Sequence, residues 1–337
     1  YTLNMERKEV DGLIVGAGPA GMVMACLLAR AGLKVLVAEK NKDFEREFRG
    51  EILQPRFHRA MMDAGLFDHI QKYPHEEVES AHAYFMGRKL AEIPLNGLDP
   101  GAGTTWWMTQ PNLLRALHDY AQTYPGYEIW FETGLKEISQ GTAVLRKADQ
   151  EVEVQAKVVV GADGRFSTVR RLVQAQVRYD RHDMDVLWFT LPRPEGYRHV
   201  FSFFLSFRRN YLILPKHPNL LQCGLALKPG EFSKIQKKGV SVLQSELRRA
   251  HPLFRSFADR LENFSVFHSL KGNRAYVRQW AGDGWLLIGD AAHTCSPAGG
   301  IGVSIAAETA CVAAGVVHDA FAQGDFSAKS LGRVQRL

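Results

Sequence analysis

Gly16, Gly18 and Gly21 stand at the spacing G-x-G-x-x-G in the stretch VGAGPAGM, directly after the apolar run Leu13 to Val15. The pattern suits an anion held by backbone. The first glycine makes a tight turn, the second admits a pyrophosphate close to the main chain, and the third lets a helix pack on the strand. A helix opening at Pro19 and Ala20 presents free N–H groups and the positive end of its dipole to the phosphates. Glu39, followed by Lys40, closes the next apolar run, where a carboxylate accepts hydrogen bonds from a ribose diol. These residues point to a dinucleotide and leave NAD and FAD both open.

Near the other end, WLLIGDAAHTCSPAGGIG sets Asp290 behind a second apolar run and Gly299, Gly300 and Gly302 at the head of a stretch of small residues. The two phosphates of one dinucleotide need only one glycine-lined helix start. A second suggests a cofactor whose other half turns negative as it accepts electrons, because N-terminal donors stabilise that charge. Reduced flavin meets this condition, with Asp290 on a hydroxyl of its ribityl chain.

Positioning these groups requires a β-α-β unit from Leu13 to Glu39, with a helix from about Pro19 to Ala31 closed by Gly32. Later segments supply further candidates. Arg49 precedes a helix with Phe57, Met61 and Met62 on its apolar side, and a guanidinium there can reach a pyrophosphate. The alternating run VESAHAYFMGRKLAEIPL reads as a hairpin turning at Gly87. Gln110 heads a helix with Pro111 in its first turn. Asp163-Gly164 is a turn after a strand at Lys157 to Val160, and Ser167 leads into a helix carrying Arg170 and Arg171. From Met184 to Leu227 the chain is strand-like and aromatic, an antiparallel sheet with one face packed and the other free to roof a cavity. WLLIGD is then expected to rejoin the first sheet, with Asp290 at the carboxyl end of its strand, where ligands bind in open α/β sheets.

Composition narrows the function further. The chain has 337 residues, 46% hydrophobic and 23% charged, with a net charge of +6, which suits a globular protein with a mild preference for anionic ligands. The basic residues form no cluster or motif for nucleic acid. The N-terminus is polar up to Val10, so no signal peptide is expected, and four scattered cysteines form no CxxC pair; a cytoplasmic protein with reduced thiols is expected. The stretch from Ala298 to Val317 has the length of a membrane span but contains Glu308 and several glycines, so a buried helix is expected. No histidine spacing suggests a metal site, and the arginine pairs Arg208-Arg209 and Arg248-Arg249 are expected in solvent.

Three motifs, GAGPAG at Gly16 to Gly21, GADGRFSTVRR at Gly161 to Arg171 and GDAAHTCSPAGGIG at Gly289 to Gly302, together resemble the single-component FAD-dependent monooxygenases with the para-hydroxybenzoate hydroxylase fold. The resemblance runs through nearly the whole chain in the family's order. It implies an α/β fold in which a Rossmann-like FAD-binding domain, residues 8–74, 104–180 and 272–337, is interleaved with a mostly antiparallel substrate-binding sheet, residues 75–103 and 181–271. It implies non-covalent FAD, with Glu39 on the adenosine ribose, Arg49 on the pyrophosphate and Gln110 on the flavin side. Asp163 belongs to the motif tied to FAD and NAD(P)H contacts, Asp290 matches the ribityl-binding acid, and Pro297, Gly300, Ile301 and Gly302 line the isoalloxazine. His293 belongs to the fingerprint as a positioning group. The chain departs from the family at Ser304, where many relatives carry asparagine, and it ends soon after the last helix, where relatives commonly continue.

The implied reaction is hydroxylation of a small aromatic substrate with NADH or NADPH and O2, through a C4a-hydroperoxyflavin, the cofactor carrying most of the chemistry. Other readings are a flavin reductase acting on isoprenoid double bonds, a halogenase of the same fold, or an FAD-loaded binding protein without turnover. The halogenase motif W-x-W-x-I-P is missing; TTWWMT does not match it.

Overall fold

Strands that lie parallel and are covered on both faces need near-continuous apolar sequence, and the apolar runs of this chain become such strands. The computed structural model describes residues 6–45, 52–95, 101, 103–139, 141–180, 184–272, 274–295 and 300–336. Glu6–Val15 lies between Val35–Ala38 and Gln150–Gly161 and pairs with both in parallel. Tyr127–Trp130 extends the sheet beyond Val35–Ala38, and Trp285–Leu287 extends it beyond Gln150–Gly161. WLLIGD thus rejoins the first sheet as expected, about 120 residues after its neighbour in the sheet. Thr133–Ser139 and Thr142–Lys147 form an antiparallel meander on Gln150–Gly161, and Ala281–Gly282 closes the far edge.

One face of this sheet packs on helices Pro19–Arg30, Gln110–Ala121 and Gly302–Gln323. The last of these is long and apolar enough to cross a membrane by length and composition. Its Ala306, Ala307, Ala310, Ala313 and Ala314 lie in the same core as Met22, Val23 and Cys26 of the first helix, and small side chains allow the close approach. The opposite face carries the meander, with Leu135, Ala143 and Leu145 packed against Leu13, Val15 and Leu36.

A second, seven-stranded sheet is assembled from two separate segments, residues 80–94 and 185–270. Its order is His268–Leu270, Asp185–Pro192, Leu220–Leu227, Tyr211–Lys216, Val200–Leu205, Ser80–Phe85, Arg88–Pro94. The hairpin turning at Gly87 forms as expected, and Ser80–Phe85 also pairs in parallel with Val200–Leu205, so one parallel step interrupts an otherwise antiparallel sheet. On one face Leu187, Phe189, Ile213 and Leu225 pack on helices Glu231–Lys238, Val240–Ala250 and Arg255–Asp259. Only the middle helix is evident in the sequence; the other two are short. Arg209 is not in open solvent: it is held between Glu231 and Glu246 at 2.9 Å, tying the sheet to two of these helices. Arg248 is paired with Asp259.

The other face of the second sheet carries Val186, Trp188, Phe201 and Leu214, packed with Val78 and Trp107. Trp107 belongs to a three-stranded sheet, Ile52–Leu53, Thr105–Trp107 and Glu76–Val78, that bridges the two halves. Alternation along its middle strand sends Trp106 into the first core and Trp107 into the second.

Candidate cofactor site

The glycine turn is built by exclusion of side chains. A Cβ on Gly16 would lie 2.6 Å from the Ala162 carbonyl oxygen, and Gly16 has φ +103°; a Cβ on Gly21 would lie 2.0 Å from the Gly16 carbonyl oxygen. Turn, helix and the end of Gln150–Gly161 therefore touch backbone to backbone. The helix Pro19–Arg30 has Gly18 as its N-cap and no side-chain cap, and Pro19 has no N–H to satisfy. Its first-turn amides thus face outward with no competing side chain, as a phosphate requires.

Glu39 is buried, and its carboxylate does two jobs. Oε2 accepts the Ala17 N–H at 2.7 Å, which fastens the glycine turn to the second strand. Oε1 accepts from the Asn41 backbone N–H at 2.9 Å and from its side-chain amide at 2.6 Å. Lys40 is exposed beside it. Arg49 and Pro297 lie outside the described residues.

Asp163 has a structural task in its own turn. Its oxygens accept from the Ser167 hydroxyl at 2.5 Å and from the Thr168 and Val169 amides at 2.6 and 3.1 Å, so the carboxylate organises the start of helix Thr168–Leu172. Ser167 caps the same helix through the Arg170 N–H. That helix presents Arg170, a buried residue to which the sequence assigns no role. Its guanidinium donates to the Ala291 carbonyl at 2.9 Å and to the Arg165 carbonyl at 2.5 Å, tying the Asp163 turn to the Asp290 turn. Arg165 in turn approaches the Asp290 carboxylate, Nε to Oδ2 at 3.3 Å, and both side chains remain partly exposed. Asp290 therefore stands at the mouth of the sheet's carboxyl edge, oriented by a cation and open on one side. The guanidinium partners carry no periodicity or motif that separates them from solvated arginines.

Gly289, with φ +55°, marks the convergence: a Cβ there would lie 2.9 Å from the Ala20 Cβ and 3.5 Å from the Ala306 Cβ. The first turns of both glycine-started helices thus meet at the strand end that carries Asp290. Helix Gly302–Gln323 has Ile301 at its N-cap and no side-chain cap. A Cβ at Gly302 meets no atom of the described residues within 4 Å, so their packing does not demand glycine there. Ser304, in the helix's first turn, is fully buried and its hydroxyl has no hydrogen-bond partner among the described residues. Gly300 has φ +62°, and its Cβ would lie 3.1 Å from Ile52 of the bridging sheet. Gln110, buried at the start of its helix, follows that sheet's middle strand directly. Free amides, an orphan hydroxyl and a carboxylate around one sheet edge are the donors and acceptors that a flavin dinucleotide uses.

His293 is mostly buried, and burial holds its imidazole below the ordinary value, so the ring is neutral near pH 7. Its Nε2 lies 2.8 Å from the Thr309 hydroxyl, which donates to the Ile305 carbonyl, so the ring braces the glycine-started helix. Among the described residues no group of three or more His, Cys, Asp and Glu could hold a metal ion. On the second sheet, Trp188 and Phe201 share the cluster containing Ile52 and Trp107, beside Gly300. Tyr211 points to the opposite face, with its hydroxyl bonded to the Ala250 carbonyl at 2.5 Å.

Residues 9–315 match the family model described as FAD binding domain. A 6-methylpretetramide 4-monooxygenase from Streptomyces rimosus is 31% identical, over 97% of this chain and 79% of the relative. A 6-hydroxynicotinate 3-monooxygenase from Bordetella bronchiseptica is 25% identical, over 89% and 80% of the two chains. Among solved structures, PqsL from Pseudomonas aeruginosa in complex with 2-aminobenzoylacetate superposes with a TM-score of 0.83 at 21% identity, covering 98% of this chain and 91% of the other. The p-nitrophenol 4-monooxygenase PnpA from Pseudomonas putida gives a TM-score of 0.83 at 21% identity, covering 98% and 84%.

Proposed function

This chain belongs to the FAD-binding family of aromatic-hydroxylase-type monooxygenases and is an FAD-dependent oxidoreductase, and from that premise we propose that it hydroxylates an aromatic substrate with NAD(P)H and O2. The observation that carries the reading is the meeting at Gly289 of two uncapped helix starts beside one partly exposed carboxylate. FAD, when bound, would supply the redox chemistry, accepting a hydride from NAD(P)H and activating O2, of which one oxygen would go to the substrate and the other to water. The protein's own groups bind and shield.

The first-turn amides at Ala20 and Gly21 hold the pyrophosphate, and Glu39 takes the adenosine ribose. Asp290, steadied by Arg165, holds the ribityl chain. Amides of Gly302 to Ser304 face the pyrimidine edge and stabilise negative charge there. Gln110 contacts the flavin side, and Arg49 and Pro297 complete the set. Trp107, Trp188 and Phe201 form an apolar wall that keeps water from the reacting atoms. The neutral His293 donates one hydrogen bond to the Thr309 hydroxyl, whose own proton goes to the Ile305 carbonyl, and moves no proton in the reaction.

The test is mass spectrometry of the product formed under isotopically heavy O2 by the FAD-loaded protein with NADH or NADPH and a panel of phenols. One heavy oxygen in the product is expected. Substrate-stimulated NAD(P)H oxidation that yields only hydrogen peroxide, or a product gaining hydrogen without oxygen, would contradict the reading.

A further inference from the structure

The face of the second sheet that meets Trp107 does not end where its packing ends. The strand registers align its side chains in rows. One row runs Trp188, Gly224, Leu212, Phe203, Ala83, Ala91 across six adjacent strands. The next runs Thr190, Gln222, Leu214, Phe201, Ala81, Ile93. Gly224 is small because the Trp188 ring lies over it; a Cβ there would be 2.7 Å from the ring. The alanines make a shallow trough beside a ridge of Phe201, Phe203 and Leu205. Exposure rises along that ridge from 6% at Phe201 to 38% at Phe203 and 43% at Leu205. From Phe201 to Leu205 the strand advances about 13 Å, and Phe85 stands beside Leu205. The apolar surface therefore continues outward from the wall proposed beside the flavin, well past the length of one benzene ring.

Within the two rows Gln222 is the buried polar exception. It is 4% exposed, and its Oε1 has no hydrogen-bond partner among the described residues. A buried acceptor left unpaired is costly, and such a group calls for a ligand that supplies the missing donor.

We propose that the substrate is an elongated, multi-ring hydroxyarene that lies along the Phe201–Phe203–Leu205 ridge over Ala81 and Ala83 and donates a hydrogen bond from a hydroxyl to Gln222. The proposal rests on the aromatic-monooxygenase reading and deepens it: the shelf selects ring number, and the amide selects a hydroxyl at one end. A single-ring phenol satisfies Gln222 and leaves the ridge unused; a fused arene without hydroxyl does the reverse.

The probes are 1-hydroxypyrene, pyrene and phenol, with binding to the FAD-loaded protein followed by pyrene fluorescence anisotropy and, for phenol, by competition. We expect 1-hydroxypyrene to bind at least about tenfold more tightly than phenol, and Phe203→Asp to weaken it about tenfold while phenol changes by about twofold or less. Gln222→Leu should erase the preference of 1-hydroxypyrene over pyrene. Equal affinity for phenol and 1-hydroxypyrene, or no response to either substitution in protein with unchanged FAD content, would overturn the proposal. A dimer that Phe203→Asp splits, with 1-hydroxypyrene affinity unaltered, would assign the face to a second copy and overturn it as well. Binding as expected with no stimulated NAD(P)H oxidation by any hydroxyarene would instead count against the monooxygenase reading and leave the shelf standing.

Discussion

Individual residues in the site carry more than one duty, Glu39 above all. Its carboxylate fixes the Ala17 amide and the Asn41 loop, and the proposed function adds the ribose to its duties. Hydrogen bonds to a charged acceptor contribute about 1.5–3 kcal/mol each. Glu39→Ala should weaken FAD binding about tenfold or more, measured by titrating the apoprotein; unchanged affinity would move the ribose contact elsewhere. Glu39 and Asp290 are legible in the sequence because each closes an apolar run, and a strand's carboxyl end is where an α/β sheet meets ligand. Arg165, Arg170 and the helix-start role of Asp163 are not. Their partners are the Asp290 carboxylate and backbone carbonyls more than a hundred residues away, or amides one turn ahead, and no spacing in the sequence encodes such pairs. Arg209 reads as solvated for the same reason, since its acids come from helices that follow later.

At the scale of elements, glycines divide into those that packing demands and those that it does not. Gly289 is pressed against Ala20 at a positive φ, so Gly289→Ala should destabilise the apoprotein by more than about 1 kcal/mol. Among the described residues no atom lies within 4 Å of a Cβ at Gly302, which sits in a helix, so Gly302→Ala should leave apoprotein stability unchanged or slightly raised while FAD affinity falls. Urea unfolding of both apoproteins separates the two cases; equal destabilisation would show that Gly302 is structural. The long strands and helices are readable from periodicity because their burial is periodic. The short helices Glu231–Lys238 and Arg255–Asp259 are not, being ordered mainly by the sheet face they cover. The parallel pairing of Ser80–Phe85 with Val200–Leu205 joins segments more than a hundred residues apart and leaves no local trace.

The whole molecule should respond to acid through its buried histidines. Burial holds His118, His251 and His293 below the ordinary imidazole value of 6.5. In the unfolded chain they titrate near that value, so below it the unfolded state binds protons that the folded state refuses. Stability is therefore fully present above about pH 6.5 and falls as pH drops below it. Urea midpoints at neutral pH and at about pH 5.5 check this, and His293→Gln should flatten the slope; an unchanged slope would place the proton uptake elsewhere.

The proposed cofactor site converges on one place, where Asp290 and the start of helix Gly302–Gln323 meet the first glycine turn. FAD content after gel filtration, read from visible absorbance per mole of protein, tests this most directly. Asp290→Ala and Gly302→Val should both elute depleted of FAD with circular dichroism like that of the unsubstituted protein, while Lys329→Ala, on the short terminal helix, retains it. Equal FAD in all three variants would contradict the assignment.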